Sequence, residues 1–161
     1  GPQTRLAIPD DLPRSVHLAG QDLQRDLLRA VRPGTGDGTI SVRVDPDLAA
    51  EACACRVHGT TLDSCGGDAL GAVYGLYRVS ETALGVPPLW FWIDCESEPR
   101  ERVELPDGWE ASAPAPRFRF RGWFLHGEDL VSHWGPDPAA LMDRYAYEAV
   151  CEALLRLRGQ R

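Results

Sequence analysis

The stretch CGGDALGAVYGLYRVSETALGVPP, residues 65–88, decides the fold. Asp68 is a good N-cap residue, because its short carboxylate can accept from the first free N–H groups of a helix. Leu70, Val73, Tyr74 and Tyr77 then recur at helical spacing, and Gly85 with Pro87 just beyond supplies the stop. The pattern predicts a helix over 68–84. Gly66 and Gly67 precede it, so strand, glycine pair and helix follow one another, an order that can offer N–H groups to an anion. Asp68 argues against that use: its carboxylate occupies those donors and repels a phosphate, and the Lys-Ser or Lys-Thr of a P-loop is missing. Structural capping is the better reading.

Toward the N-terminus, TRLAI at 4–8 reads as a short strand, broken off by Pro9 and Pro13. A helix over 14–31 follows, with Leu23, Leu27, Leu28 and Val31 on one face. Pro33 and the glycines of PGTGDG end it. That glycine run follows a helix and precedes a strand, the reverse of a dinucleotide site, and reads as a turn. In TISVRVD, 39–45, Ile40, Val42 and Val44 alternate with Ser41 and Arg43, the period of a half-buried strand. Two more strands, near 51–57 and 60–65, flank a hairpin turn at His58-Gly59. Residues 4–95 are therefore expected to form a small α/β domain of α+β type: a β-α-β-β-α-β arrangement, a mixed sheet with helices on one face.

Beyond the helix, PPLWFWID at 87–94 reads as an aromatic strand covered on both faces, with Trp90 or Trp92 stacking on a sugar as the functional alternative. Residues 96–116 are charged and Pro-rich, and read as a linker. At 117–125, RFRFRGWFL passes from Arg/Phe alternation to a continuous apolar run, as a strand does on entering a sheet covered on both sides. Asp137 and Pro138 then open a helix whose stripe is Met142, Ala146, Ala149, Val150, Ala153, Leu154 and Leu157, with Arg156 and Arg158 suiting its C-terminus. A βα unit of this kind needs a parallel neighbour to bury its strand. The expectation is that the chain is the N-terminal part of a longer polypeptide, with 117–161 the first βα unit of a (β/α)8 barrel.

Composition narrows the partners. The 161 residues carry seventeen Lys plus Arg against twenty-four Asp plus Glu, and the net charge of −7 repels a phosphate backbone, so nucleic acid is not expected. No apolar run approaches the roughly twenty residues of a membrane span, which predicts a soluble chain, either cytoplasmic or secreted with its signal peptide removed. A homo-oligomer is compatible with the reading. The five cysteines, at 53, 55, 65, 95 and 151, are an odd number and cannot all pair internally. Cys53, Cys55, His58 and Cys65 invite a zinc reading, but C-x-C is unlike zinc-knuckle spacing. The preferred alternative makes Cys53, Cys55 and Cys65 small buried hydrophobes. No metal and no cofactor is expected.

The residues Gly67, Asp68, Gly71, Tyr74, Gly75, Tyr77, Ser80, Glu81, Gly85, Val86, Pro88 and Asp94 resemble the N-terminal domain of the α-glucuronidases of glycoside hydrolase family 115. FRGWFLHGEDL, 120–130, is similar to the first barrel strand of those enzymes, where an R-G-x-F-x-N-D-E run opens the active-site face. Here His126-Gly127 replaces Asn-Asp before the Glu, and Asp129 lies beyond it. The resemblance implies a hexosaminidase-type N-terminal domain ahead of a catalytic barrel, and a glycosidase acting on an oligo- or polysaccharide.

Barrel sites lie at the C-terminal ends of strands, which is where His126, Glu128 and Asp129 fall. Glycoside hydrolysis needs two carboxylates across the scissile bond, so adjacent Glu128 and Asp129 supply at most one, its partner coming from the remainder of the barrel. His126 and Trp134 are expected to bind substrate, and Arg121 is the local candidate for a sugar carboxylate. The competing readings are solvated loop charges ahead of a helix, a metal site of His126, His133 and Glu128, and, for the whole chain, a non-catalytic carbohydrate-binding or interaction module.

Overall fold

The computed structural model describes residues 4–32, 37–93, 99–125 and 144–160. The chain divides into two compact units, Gly1–Arg117 and Phe118–Arg161.

The first unit is a small mixed α/β domain. Its elements run β1 (Arg5–Ala7), α1 (Arg14–Ala30), β2 (Thr39–Val44), β3 (Cys53–His58), β4 (Thr61–Gly66), α2 (Ala69–Val79), a π-helical turn (Ser80–Leu84) and β5 (Glu110–Ala113). The five-stranded sheet has the order β1-β2-β4-β3-β5. β1, β2 and β4 are mutually parallel, and β3 runs antiparallel to both of its neighbours, β4 and β5. The β3–β4 hairpin inserts β4 between β2 and β3, with Gly59 at φ 57° in its turn.

Register and the two-residue side-chain period assign one face of the sheet to the core. Ile40, Leu62 and Val57 form one row across it, and Val42, Ser64, Cys55 and Ala111 form the next. All seven are buried. The opposite face carries Ser41, Arg43, Asp63, Arg56 and Glu110, the polar half of the same alternation. α2 packs on the core face against β4, β3 and β2, and α1 packs against α2. Residues 71–77 of α2 are buried all round, which marks it as the central helix rather than an amphipathic surface one. Gly75 lets it lie close to the sheet, since a Cβ there would come within 2.5 Å of Ser64 Oγ.

Several expectations for this unit need correction, the β-α-β-β-α-β order among them, since three strands, β2, β3 and β4, lie between α1 and α2. Leu28 does not share the buried stripe of α1: it is 61% exposed, and the stripe runs Val16, Ala19, Gly20, Leu23, Asp26, Leu27 and Ala30. The helix expected to reach residue 84 stays α-helical only to Val79; the π-turn finishes it, with Thr82 Oγ1 donating to the Arg78 carbonyl and Gly85 left-handed at φ 73°. Residues 87–93 form no strand. Trp90 N–H bonds to Pro87 O and Trp92 N–H to Leu89 O, so the aromatic run winds through successive turns. Finally, the segment 96–116, read as a linker, supplies β5 and completes the sheet edge.

The second unit contains α3 (Arg144–Arg156). Residues 117–125, expected as a strand, have no strand pairing. α3 buries Ala146, Val150, Ala153 and Arg156. It ends in a Schellman arrangement: Gly159 N–H bonds to Leu154 O, Arg158 N–H bonds to Leu155 O, and Arg158 is left-handed at φ 62°.

Candidate functional site

In an open α/β sheet, ligands gather at the carboxyl ends of parallel strands. Here those ends lead to Asp45 after β2 and to Gly67-Asp68 after β4. Both acids are committed to local structure. Asp68 Oδ1 accepts from Gly71 N–H at 2.7 Å, the capping bond expected from sequence. Asp45 accepts from the Arg43 guanidinium at 2.7 Å and from Asp47 N–H at 3.1 Å. Those two bonds, Arg43 first, hold its carboxyl below the usual carboxylate range.

The cysteines behave as the hydrophobic reading requires. Cys53 and Cys55 face the core, whereas Cys65 pairs with Ala54 and so lies on the opposite face, as does His58. The sheet therefore separates the four residues that a zinc site would have to unite. Cys55 Sγ donates to Ser64 Oγ and Gly75 O, each at 3.5 Å. Burial pushes its pKa up to about 12, the hydrogen bond to Ser64 opposing, so it stays a thiol where a metal would need a thiolate. Among the described residues, no group of three or more His, Cys, Asp or Glu is arranged to hold a metal ion.

Trp90 is half-buried, with the Arg29 guanidinium 3.8 Å from its ring centroid and Arg25 at 5.0 Å. A sugar stacking on that ring would compete with Arg29. Trp92 packs edge-on against Phe91, which is itself edge-on to Trp90. Sequence reading missed the polar seam beside them. Tyr77 donates to Asp22 at 2.7 Å, and Ser80 donates to the fully buried Asp26 at 2.5 Å, joining α1 to α2 and its π-turn. The available signal was Asp26 itself, in register with Leu23, Leu27 and Ala30 on a stripe that is otherwise apolar or glycine. Tyr77 and Ser80 belong to the family-like residue set, and their bonds here are architectural.

In the second unit Arg121 turns toward the helix end. Its Nε donates to Arg158 O at 2.6 Å, one terminal nitrogen donates to Phe118 O at 2.5 Å, and Gln160 N–H returns a bond to Arg121 O at 2.9 Å. These bonds serve the C-terminus of α3. His126, Glu128, Asp129 and Trp134, with the alternative ligand His133, lie outside the described residues. Among the described residues, no helix is long and apolar enough to cross a membrane.

No family profile and no curated protein matches the sequence. In structure the chain is similar to a family GH115 4-O-methyl-α-glucuronidase with specificity for decorated arabinogalactans, at TM-score 0.80 and 24% identity, over 99% of this chain and 24% of that one. The chain thus spans about a quarter of that enzyme's length. A GH138 enzyme targeting pectin rhamnogalacturonan II is matched at TM-score 0.42 and 17% identity, over 48% of this chain and 9% of that one, too weakly to carry weight. The resemblance to the N-terminal part of family 115 enzymes, drawn from residues 67–94 and 120–130, agrees with the first of these likenesses.

Proposed function

We propose that this chain is the N-terminal part of a glycoside hydrolase of α-glucuronidase-like type. In this reading the first unit, β5 included, is a hexosaminidase-like domain that precedes the catalytic one. Residues 117–161 begin a (β/α)8 barrel whose remaining strands follow in a longer protein. Glu128 or Asp129 supplies one carboxylate of the acid/base pair, and a later strand supplies the other. His126 and Trp134 bind substrate. Arg121 either reaches the sugar carboxylate or, as its carbonyl bonds favour, holds the C-terminal end of α3.

The observation that carries the proposal is the surface of the second unit. Phe118, Phe120 and Phe124 are 70%, 67% and 86% exposed, and Trp123, Leu125, Tyr145, Tyr147 and Leu157 are exposed as well. A set this apolar is a surface made to be covered. Neighbouring βα units are the cover a barrel provides, and the fold likeness over 99% of this chain, yet only 24% of a much longer hydrolase, supports the same reading.

The test compares the 161-residue chain with a longer protein that continues past it, on a panel of aryl glycosides including an α-glucuronide. The longer protein should turn over, the short one should not, and Glu128→Gln or Asp129→Asn in the longer protein should lower kcat by about 10²- to 10⁴-fold. Turnover by the short chain, or full activity in both variants, refutes the proposal.

A further inference from the structure

The amino ends of β1, β2 and β4, away from the strand ends considered above, border a cavity of about 750 Å³. Its floor is aliphatic: Leu27, Ile40, Val57, Leu62, Val79 and Leu84. Thr39, Thr60 and Thr61 also border it, at the amino ends of β2 and β4 and in the hairpin turn. One side is a strap, residues 101–105, every one of which lines the cavity.

The strap is pinned at both ends. Before it, the Arg100 backbone bonds to Ala30 and Arg32, and its guanidinium donates to the carbonyls of Ala83 and Leu84 at 3.1 and 2.7 Å. After it, Gly108 N–H bonds to Val57 O, and Asp107 accepts from Gly59 N–H at 2.9 Å. Between these anchors the chain has no strand pairing, with Val103 and Leu105 half-buried and Glu101, Arg102 and Glu104 exposed. The charges at the mouth largely neutralise one another: Arg32 pairs with Glu101, and Arg102 pairs with Glu104 at 2.6 Å. Among the described lining residues Asp37 adds one further negative charge to the rim.

We propose that this cavity binds a small neutral amphiphile, an aromatic ring compound carrying a hydroxyl group. The volume falls within the range of small-molecule pockets, of order 300–1,000 Å³. The aliphatic side chains accept a ring, and the polar groups that share the lining with them give one hydroxyl its partners. The negative rim disfavours a carboxylate, which separates this ligand class from the uronate of the proposed substrate. Its described lining residues all belong to the first unit, so the site does not depend on the glycosidase reading.

The probe is 2-naphthol, titrated into the 161-residue chain by isothermal calorimetry and by NMR. Saturable binding of one molecule per chain is expected, with nuclear Overhauser contacts from the ring to methyl groups of Leu27, Ile40 and Val57. The anion 2-naphthoate should bind at least about tenfold more weakly. Val103→Trp fills the cavity from the unpaired strap and should weaken 2-naphthol by at least about tenfold with an unchanged far-UV spectrum. Lack of saturation, contacts only to methyl groups outside the cavity lining, equal binding of the anion, or native affinity in a folded Val103→Trp chain would each overturn the proposal.

Discussion

Replacing Gly75 by alanine sets two opposed effects against each other. In the interior of a helix, Gly→Ala stabilises by about 0.8–1 kcal/mol, because it lowers the entropy lost on folding. At Gly75 the new Cβ would stand 2.5 Å from Ser64 Oγ, 3.6 Å from Cys53 Cβ and 3.8 Å from Cys55 Sγ. The last two are ordinary contacts, but the first overlaps by nearly 1 Å relative to a carbon–oxygen contact of about 3.3 Å. Ser64 is fully buried and accepts the Cys55 thiol, so its hydroxyl cannot turn away without losing that bond. Overpacking costs about 1–3 kcal/mol and the lost bond about 1 more, leaving a net destabilisation of about 2 kcal/mol. Urea unfolding followed by far-UV circular dichroism should then show a midpoint lowered by about 1 M with m unchanged. The decisive comparison places Gly75→Ala in a Ser64→Ala background, where the colliding oxygen is gone and the substitution should become neutral or stabilising. The same cost in both backgrounds, or stabilisation in the native background, refutes the packing account.

Three further outcomes follow from local chemistry. Asp68→Ala should lower stability by about 1 kcal/mol by removing the bond to Gly71 N–H, and Asp68→Asn should retain most of it, as measured by the same unfolding curves. Cys55 ionises near 9.0 without burial but only at about 12 in the fold, so the unfolded chain releases its proton first. Stability is therefore intact below pH 9.0 and declines as pH rises toward 12, a trend that Cys55→Ala should flatten in alkaline unfolding curves. Under native conditions at neutral pH a thiol reagent should modify exposed Cys151 well before buried Cys55; equal rates would contradict the burial.

The elements legible in sequence were those with a strong period and a local stop signal. The α2 cap at Asp68, the left-handed stop at Gly85 and the alternation of β2 all reappear in the structure. The π-turn was invisible, because Ser80–Leu84 is a single turn at the end of the helix, too short for its wider winding to alter the apolar period. β5 was missed because Glu-Ala-Ser-Ala has poor strand propensity; pairing with β3 makes it a strand. The aromatic run after Pro87 misled for the opposite reason: its residues favour strands, yet i to i−3 bonds from Trp90 and Trp92 turn the backbone. The candidate catalytic positions rested on the family resemblance and on the rule for barrel strand ends, neither of which is local. Arg121 shows what sequence leaves open. An arginine at the end of an Arg/Phe alternation can serve a ligand or a helix end, and only coordinates reveal its carbonyl partners.

The insertion of β4 between β2 and β3 also bears on how the protein is made. On the ribosome, β1, α1 and β2 emerge before β3 and β4, and the inner flank of β2 has no mate until the following hairpin has been synthesised. Closing the sheet therefore waits for Thr61–Gly66, and during that interval a bare strand edge is open to neighbouring nascent chains. Slow decoding upstream of residue 61 would lengthen that exposure, whereas rapid decoding of the hairpin would shorten it.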